Sequence, residues 1–335
     1  MHTQPQTTVA LTLGDAAGIG PELLAKALST TPVPEHTAWV IVGDRWVWER
    51  AQTFAKVQVP STTVTGFAQA QAGLSFLELP RLKMEDGPLG QANAHAGRAI
   101  LQTLEFCLDA ATARQIQAIC FAPLNKQAMK LGGLKFDDEA SHFANYLGIQ
   151  DFYCEFNTLG DLWTARVSSH IPLKNAAEYI TAARIDAAAS LIHHALVAYG
   201  IPQPVIAVAA FNPHGGDGGT CGREEVDVIA PAVKALQAKG MDARGPFPAD
   251  TLFIKARAGE YHAVVTMYHD QGQIAIKLMG FERGVTVHGG LPIPITTPAH
   301  GTAYDLAGTG TATTQAMINA LSVATKMGTP SGVKA

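Results

Sequence analysis

The sequence has little of what marks several large protein classes. Its four cysteines, at 107, 120, 154 and 221 of 335 residues, include no CxxC pair. That excludes a disulfide scaffold or zinc ribbon and leaves reduced, mostly buried thiols. Nowhere do about 18 uncharged apolar residues run together, and MHTQPQTTVALTL has no basic stretch followed by a long apolar one. A soluble, cytoplasmic protein is expected. With a net charge of −4 and no long Lys/Arg block, nothing attracts nucleic acid or anionic membrane. The partner is expected to be a small molecule or another copy of the chain. No internal repeat or low-complexity linker stands out, so any domain boundary lies inside continuous structure.

What is present is an apolar chain, 47% hydrophobic, that alternates β-rich runs with amphipathic ones. TVALTL (8–13) breaks into GDAAGIGPE and then the helical LLAKALS, followed by the strand AWVIVGD (38–44). The segment 96–114 reads as a helix and AICFAPL as a strand, ending in Asn125-Lys126. LWTARVSSHIPL (162–173) reads as a strand with polar residues at its exit, PVIAVAAFNPHGG and AVVTMYHD as further buried strands, with helices between them and TATTQAMINALSVATKMG as the last helix. The alternation predicts an α/β fold with largely parallel sheets covered by helices on both faces. In such sheets ligands gather at the carboxyl ends of strands.

Three histidines share that context. Ser169-His170, Asn212-Pro213-His214 and Tyr268-His269-Asp270 each follow a predicted strand, 44 and 55 residues apart, so only the fold could unite them. Three imidazoles with an open position suit a catalytic Zn²⁺ or a related divalent ion. His142, His193 and His194 have no strand exit and read as hydrogen-bonded or surface residues. GDAAGIGPE has neither the dinucleotide GxGxxG spacing nor a P-loop Lys-Ser/Thr, so a tight βα turn and a ligand loop both remain open. HGTAYDLAGTGTA (300–312) offers small residues beside which a planar ring could lie, with His300 and Asp305 as candidate adenosine contacts.

Taken in order, GDAAGIGPE, PLNK, NPHGG, ADTLF, MYHDQG, K-x-x-GF and HGTA resemble the 4-hydroxythreonine-4-phosphate dehydrogenase family from about residue 8 to residue 326. The family is itself similar to the isocitrate and isopropylmalate dehydrogenases. The resemblance implies two α/β/α domains with mixed, largely parallel sheets: 1–128 with 297–335 on the cofactor side, and 129–296 for metal, substrate and dimerisation, with the active site in the cleft between them. It further implies a homodimer, NAD or NADP as cofactor, and a divalent metal, zinc by default, on His170, His214 and His269, the third from the partner subunit. Gly14, Gly18, Gly20, Asn212, His300, Gly301 and Asp305 are the candidate cofactor contacts, and Asp250 and Lys277 the candidate catalytic groups.

Against the family pattern, Asp138-Glu139-Ala140-Ser141 stands where glycine-histidine-threonine-glutamate is usual, and Thr286 and Ile295 stand where asparagine and arginine are. Glu139, Ala140, Lys277, Thr286 and Ile295 are therefore the substrate-binding positions implied. A phosphate calls for cations and backbone donors. An isoleucine for an arginine, beside Asp137, Asp138 and Glu139, opposes one. The expectation drawn from this is a non-phosphorylated substrate: a cis-dihydrodiol of an aromatic carboxylate, as in the terephthalate 1,2-cis-dihydrodiol dehydrogenase branch, oxidised and decarboxylated to protocatechuate. The alternatives are a dehydrogenase of 4-hydroxythreonine-4-phosphate or 4-phosphothreonate, and a non-catalytic ligand-binding protein on the same fold.

Overall fold

The computed structural model describes residues 5–329. They form two compact units, one from the chain up to Gln150 together with Leu291 onward, the other from Asp151–Gly290.

The first unit runs β1 (Thr7–Thr12), α1 (Gly20–Thr30), β2 (Thr37–Gly43), α2 (Arg45–Ala55), β3 (Thr62–Val64), β4 (Gly73–Glu78), α3 (Ala94–Thr112), β5 (Ala118–Phe121), α4 (Lys126–Gly132) and α5 (Glu139–Tyr146). Its sheet order β3-β4-β2-β1-β5 is parallel at every pairing. β1, β2 and β5 are buried along their whole length, as strands covered on both faces must be. Polar side chains start the helices: Asn93 Oδ1 accepts from the Ala96 amide, and Asn125 Oδ1 from that of Ala128, each at 2.8 Å.

The second unit contains β6 (Cys154–Leu159), β7 (Leu162–Arg166), α6 (Ala182–Tyr199), β8 (Val205–Ala209), α7 (Ala230–Ala238), β9 (Asp242–Phe247), α8 (Ala249–Arg257), β10 (Ala263–Thr266), α9 (His269–Gly280) and β11 (Val285–Gly289). Its sheet runs β11-β6-β7-β10-β8-β9. β7, β10, β8 and β9 pair in parallel, while β6 joins β7 and β11 antiparallel. The chain then returns to the first unit as β12 (Ile295–Pro298), parallel to β5, and α10 (Gln315–Gly328). The expected α/β class, with mixed and largely parallel sheets, is what is found.

The units change at 150/151 and 290/291, whereas the expected boundaries fell at 128/129 and 296/297. Packing explains the difference. Phe143 of α5 meets Phe121 of β5 edge to face, with ring centroids 6.0 Å apart, and Ile295 is fully buried in the same core cluster. Residues 1–4 and 330–335, the ends of the first expected domain, lie outside the described residues.

Cys107, Cys120 and Cys154 are buried, and burial pushes their thiols up to about 12, so they are poor nucleophiles. Among the described residues no helix is long and apolar enough to cross a membrane. α3 and α4 pack so closely that a Cβ on Gly97 would lie 1.8 Å from the Ala128 carbonyl oxygen. Gly97→Ala must therefore push two backbones apart, and it is expected to cost about 1–3 kcal/mol or more. Gly66, with nothing within 4 Å of its missing Cβ, is the control: thermal melting of the two alanine variants should show a large loss only at Gly97.

Candidate functional site

β10 lies between β7 and β8, in parallel register from Ala263↔Trp163 to Thr266↔Arg166 on one side and from Ala263↔Ile206 to Val265↔Val208 on the other. Parallel neighbours about 4.8 Å apart deliver their exits to one edge of the sheet. The exits carry Ser169-His170, Tyr268-His269 and Asn212-Pro213-His214 in turn. β10 stops at Thr266, however, and His269 opens α9 instead of ending the strand. Side chains lash the exits together. Ser168 Oγ donates to the Met267 carbonyl (2.8 Å), Gln271 Oε1 accepts from the Met267 amide (2.7 Å), and Gln271 Nε2 donates to the Ala210 carbonyl (2.7 Å).

Two of the three histidines come together. The rings of His170 and His269 are 5.7 Å apart, centroid to centroid, tilted by 46°, and both line a cavity of about 170 Å³ together with Ser168, Ser169, Tyr268 and Asp270. His269 Nδ1 lies 2.7 Å from Asp270 Oδ1. A carboxylate beside Nδ1 is the kind of partner that orients a metal-binding imidazole from behind. His214 is exposed and does not line that cavity. Among the described residues no three His, Cys, Asp or Glu side chains are grouped to hold a metal ion. The donors therefore fit one half of a divalent-cation site. The expected grouping takes its third histidine, His269, from a partner subunit; within one chain His269 lies beside His170.

His214 sits in a turn of unusual backbone. From His214 to Gly218, φ is 55°, 70°, 76°, 46° and 64°, left-handed throughout, and His214 and Asp217 adopt it without being glycine. Such residues cost about 1–2 kcal/mol each. Glu225, buried at 3% exposure, holds the entrance: its Oε1 accepts from the amides of Phe211 and Asn212 (both 2.7 Å), and its Oε2 from Asn212 Nδ2 (2.9 Å). Asn212 Nδ2 also donates to Glu224 (2.6 Å), so this candidate cofactor contact is a brace. A Cβ on Gly216 would meet Glu225 Oε2 at 2.6 Å, which is why that position is glycine.

Other expected residues divide between the units. Lys277 is exposed on α9, its Nζ 5.8 Å from the centre of the Phe281 ring. Asp250 is exposed in the first turn of α8. Thr286 accepts from Asn157 Nδ2 at 3.2 Å. In the first unit Ile295 is fully buried in the apolar core, so its side chain faces packing and not a solute. The acidic run is engaged locally. Asp138 Oδ1 caps α5 at the Ser141 amide (2.8 Å), Glu139 lies 3.7 Å from Lys126 Nζ, and the exposed Asp137 lies 3.8 Å from Lys130 Nζ. Ala140 is buried in α5.

The glycine loop is shaped by sterics. Cβ atoms on Gly14 and Gly18 would strike the Ala122 carbonyl oxygen at 2.5 Å and Thr302 Cβ at 2.7 Å, and Gly20 is tight against the Leu13 carbonyl oxygen at 3.1 Å. Tyr304 donates its hydroxyl to the fully buried Asp15 at 2.5 Å, so GDAAGIGPE and HGTAYDLAG are one packed object. Burial raises the Asp15 carboxyl, opposed by the Tyr304 hydroxyl and the Ala17 amide. Gly301 and Asp305 are exposed, and His300 Nδ1 lies 3.2 Å from the Gly301 carbonyl oxygen. Sequence reasoning passed over Asp15, Gln271, Glu225 and the buried Arg166. The available signal was a charge embedded in an apolar strand, Trp-Thr-Ala-Arg-Val.

Burial alone would raise the Glu225 carboxyl, but the bonds from the Asn212 side chain and from backbone amides outweigh it and hold the group below its ordinary 4.5. A depressed carboxyl lends stability that is present above the unfolded value and lost as pH falls through the folded one. Glu225→Gln is expected to cost about 1–3 kcal/mol at neutral pH through poorly satisfied amides, and to flatten the fall in melting temperature below about pH 4.5 that the unaltered protein shows. Melting curves across that range check both.

Residues 35–324 match the family described as pyridoxal phosphate biosynthetic protein PdxA. A protein of Pseudomonas aeruginosa named "Putative 4-hydroxythreonine-4-phosphate dehydrogenase 2" is 45% identical over 98% of this chain and 99% of its own length. The D-threonate 4-phosphate dehydrogenase of Salmonella typhimurium is 35% identical over 96% and 98%. The crystal structure of 4-hydroxythreonine-4-phosphate dehydrogenase from Klebsiella pneumoniae, 31% identical, covers 97% of this chain and 98% of its own with a TM-score of 0.84. A terephthalate 1,2-cis-dihydrodiol dehydrogenase from Burkholderia xenovorans is more distant, at 28% identity and TM-score 0.69 over 96% and 98%. These likenesses overturn the dihydrodiol expectation, and the structure shows why it arose: Ile295 belongs to the core, and the acidic run at 137–139 is engaged in starting α5 and pairing with Lys126 and Lys130, so neither argues against a phosphorylated substrate. From the match along 35–324 and the full-length relatives, the chain belongs to the PdxA family.

Proposed function

We propose that the chain is a nicotinamide-dependent dehydrogenase of a phosphorylated hydroxy acid, with 4-hydroxythreonine-4-phosphate or D-threonate 4-phosphate as the substrate type, working with a divalent metal. The observation that carries the reading is the His170–His269 pair, 5.7 Å apart beside a cavity of about 170 Å³, in a chain 45% identical to a relative of that name.

A divalent ion bound there supplies Lewis acidity that lowers the pKa of a chelated hydroxyl. His170, His214 and His269 would hold it, and Asp270, 2.7 Å from His269 Nδ1, orients that ring. Lys277 follows His269 on α9 at two four-residue steps, through Gln273, about 12 Å along the helix and on roughly the same face. It is suited to receive an anionic group of the substrate while the hydroxyl sits at the histidines. The first-unit loops at Gly14–Gly20 and His300–Asp305 are the candidate seat of NAD or NADP; Gly301 is exposed, with nothing within 4 Å of its missing Cβ.

The ligand set is completed, in this reading, by a second copy of the chain. Support comes from an exposed apolar stripe on and just after α9, Ile274 (60%), Leu278 (84%) and Phe281 (45%), with Leu173 (70%) beside His170. Exposed apolar side chains at such spacing suit contact with a second copy.

Purified protein is assayed with NAD or NADP, a divalent metal, and each 4-phosphorylated acid, following reduced nicotinamide. Turnover is expected with at least one; none with either would overturn the reading. His170→Ala and His269→Ala are expected to lose bound metal and at least about a hundredfold in kcat, the scale of removing one stabiliser of developing oxyanion charge. Leu278→Asp is expected to shift the protein to monomer in sedimentation.

A further inference from the structure

The stretch Thr302-Ala303-Tyr304 in the first unit holds a strained residue between two anchors. Ala303 has φ 38° and ψ 64°, a left-handed conformation in a residue that carries a Cβ. Lys56 is also left-handed, but it ends α2 as helices commonly end. Ala303 instead opens the short turn Tyr304–Leu306, and such a residue persists only where its surroundings over-determine it. Before it, the Thr302 carbonyl accepts from the Ile19 amide (3.0 Å), and Thr302 Oγ1 accepts from Asn125 Nδ2 (3.3 Å). After it, the Tyr304 hydroxyl donates to Asp15 Oδ2 (2.5 Å). Asp15 and Ile19 follow β1, Asn125 follows β5 and Thr302 follows β12, and these strands are parallel neighbours. Three strand exits thus fix the backbone around Ala303.

Asp15 is fully buried. Its Oδ1 accepts from the Ala17 amide at 2.9 Å, a local closure that a serine or asparagine supplies equally well. A buried carboxylate is a costly way to close a turn, so the bond to Tyr304, 289 positions away, is the more informative one. It sets the direction in which the chain leaves Ala303. The residues that flank the anchored stretch, Gly301 and Asp305, are exposed, and nothing lies within 4 Å of the missing Cβ of Gly301.

We infer that Tyr304 is a positioning residue for the nicotinamide cofactor: anchored on Asp15, it holds Ala303 left-handed and so keeps Gly301–Asp305 in the shape that receives the adenosine end of NAD or NADP. This rests on the reading of that segment as part of the cofactor seat. Released from Asp15, the backbone relaxes toward an ordinary conformation, and the apparent affinity falls by the fraction of molecules that still hold the strained one.

NADH, and separately NADPH, is titrated into the full chain and followed by nicotinamide fluorescence. Tyr304→Phe keeps the ring and loses only the hydroxyl, so it is expected to stay folded and to bind the preferred dinucleotide about 5–30-fold more weakly, the population factor that left-handed strain at one non-glycine residue represents. Ala303→Gly/Tyr304→Phe should recover part of that loss, because glycine takes the left-handed form without strain; a merely structural bond would show no such rescue. Gly301→Leu tests the seat itself, since its side chain enters open space and should block the dinucleotide in a folded protein. Unchanged affinity in Tyr304→Phe, or a loss that Ala303→Gly does not reduce, would overturn the inference while the block at Gly301→Leu leaves the seat standing. If neither dinucleotide binds the unaltered protein, or Gly301→Leu binds as it does, the seat reading fails and this inference with it.

Discussion

Everything at the candidate site depends on the parallel ladder joining β7, β10 and β8. Its hydrogen bonds place Thr266 opposite Arg166 and Val265 opposite Val208, so three exits that are 44 and 55 residues apart between their histidines come level at one edge. A strand cannot slip by one residue without turning its buried side chains to the wrong face, and β7 and β10 are buried throughout. The packing that stabilises the sheet therefore also fixes where His170 and His269 begin. The loops need supply only the last few ångströms.

This division explains what could be read from the residues. Apolar runs ending in polar clusters identify strand exits, and the three histidines were legible for that reason. Their final arrangement was not, since it depends on how each chain leaves its strand: His269 as the first residue of α9, His170 after a two-serine turn, His214 on a left-handed turn. Ile295 shows the opposite failure. Its position in a family pattern says which residue type stands there, but only the pleat of β12 in its sheet says that the side chain points into the core. Likewise the run Asp137-Asp138-Glu139 looked like a negative field, whereas Asp138 caps α5 and Asp137 and Glu139 lie beside lysines of α4.

The first unit shows motifs distant in sequence becoming one packed object. Asp15, Glu22 and Lys26 come from the glycine loop and α1. Asp15 takes the Tyr304 hydroxyl, Glu22 takes the Gly308 amide (3.0 Å), and Lys26 Nζ donates to the carbonyls of Gly310 and Ala312 (both 2.9 Å). The segment 300–312 is thereby clamped at four points, one on the glycine loop and three on α1, before any ligand arrives. Gly14 and Gly18 of GDAAGIGPE exist because Ala122 and Thr302 lie where a Cβ would be, and Gly20 is tight against Leu13, so the first two are explained by the fold whether or not a nucleotide approaches them.

The turn at His214 completes the argument about preorganisation. Two non-glycine residues in left-handed conformation cost about 1–2 kcal/mol each, and a bound ion could in principle be what repays that strain. The distances argue otherwise. Glu225 accepts from two amides and the Asn212 side chain within 2.7–2.9 Å, and hydrogen bonds to a charged group contribute about 1.5–3 kcal/mol each, enough to offset the strain with no ligand present. The Gly216 position, where a Cβ would collide with Glu225, shows the turn wrapped against that carboxylate. His214 is thus presented at a place set by Glu225, on a turn that is formed before any ligand reaches it.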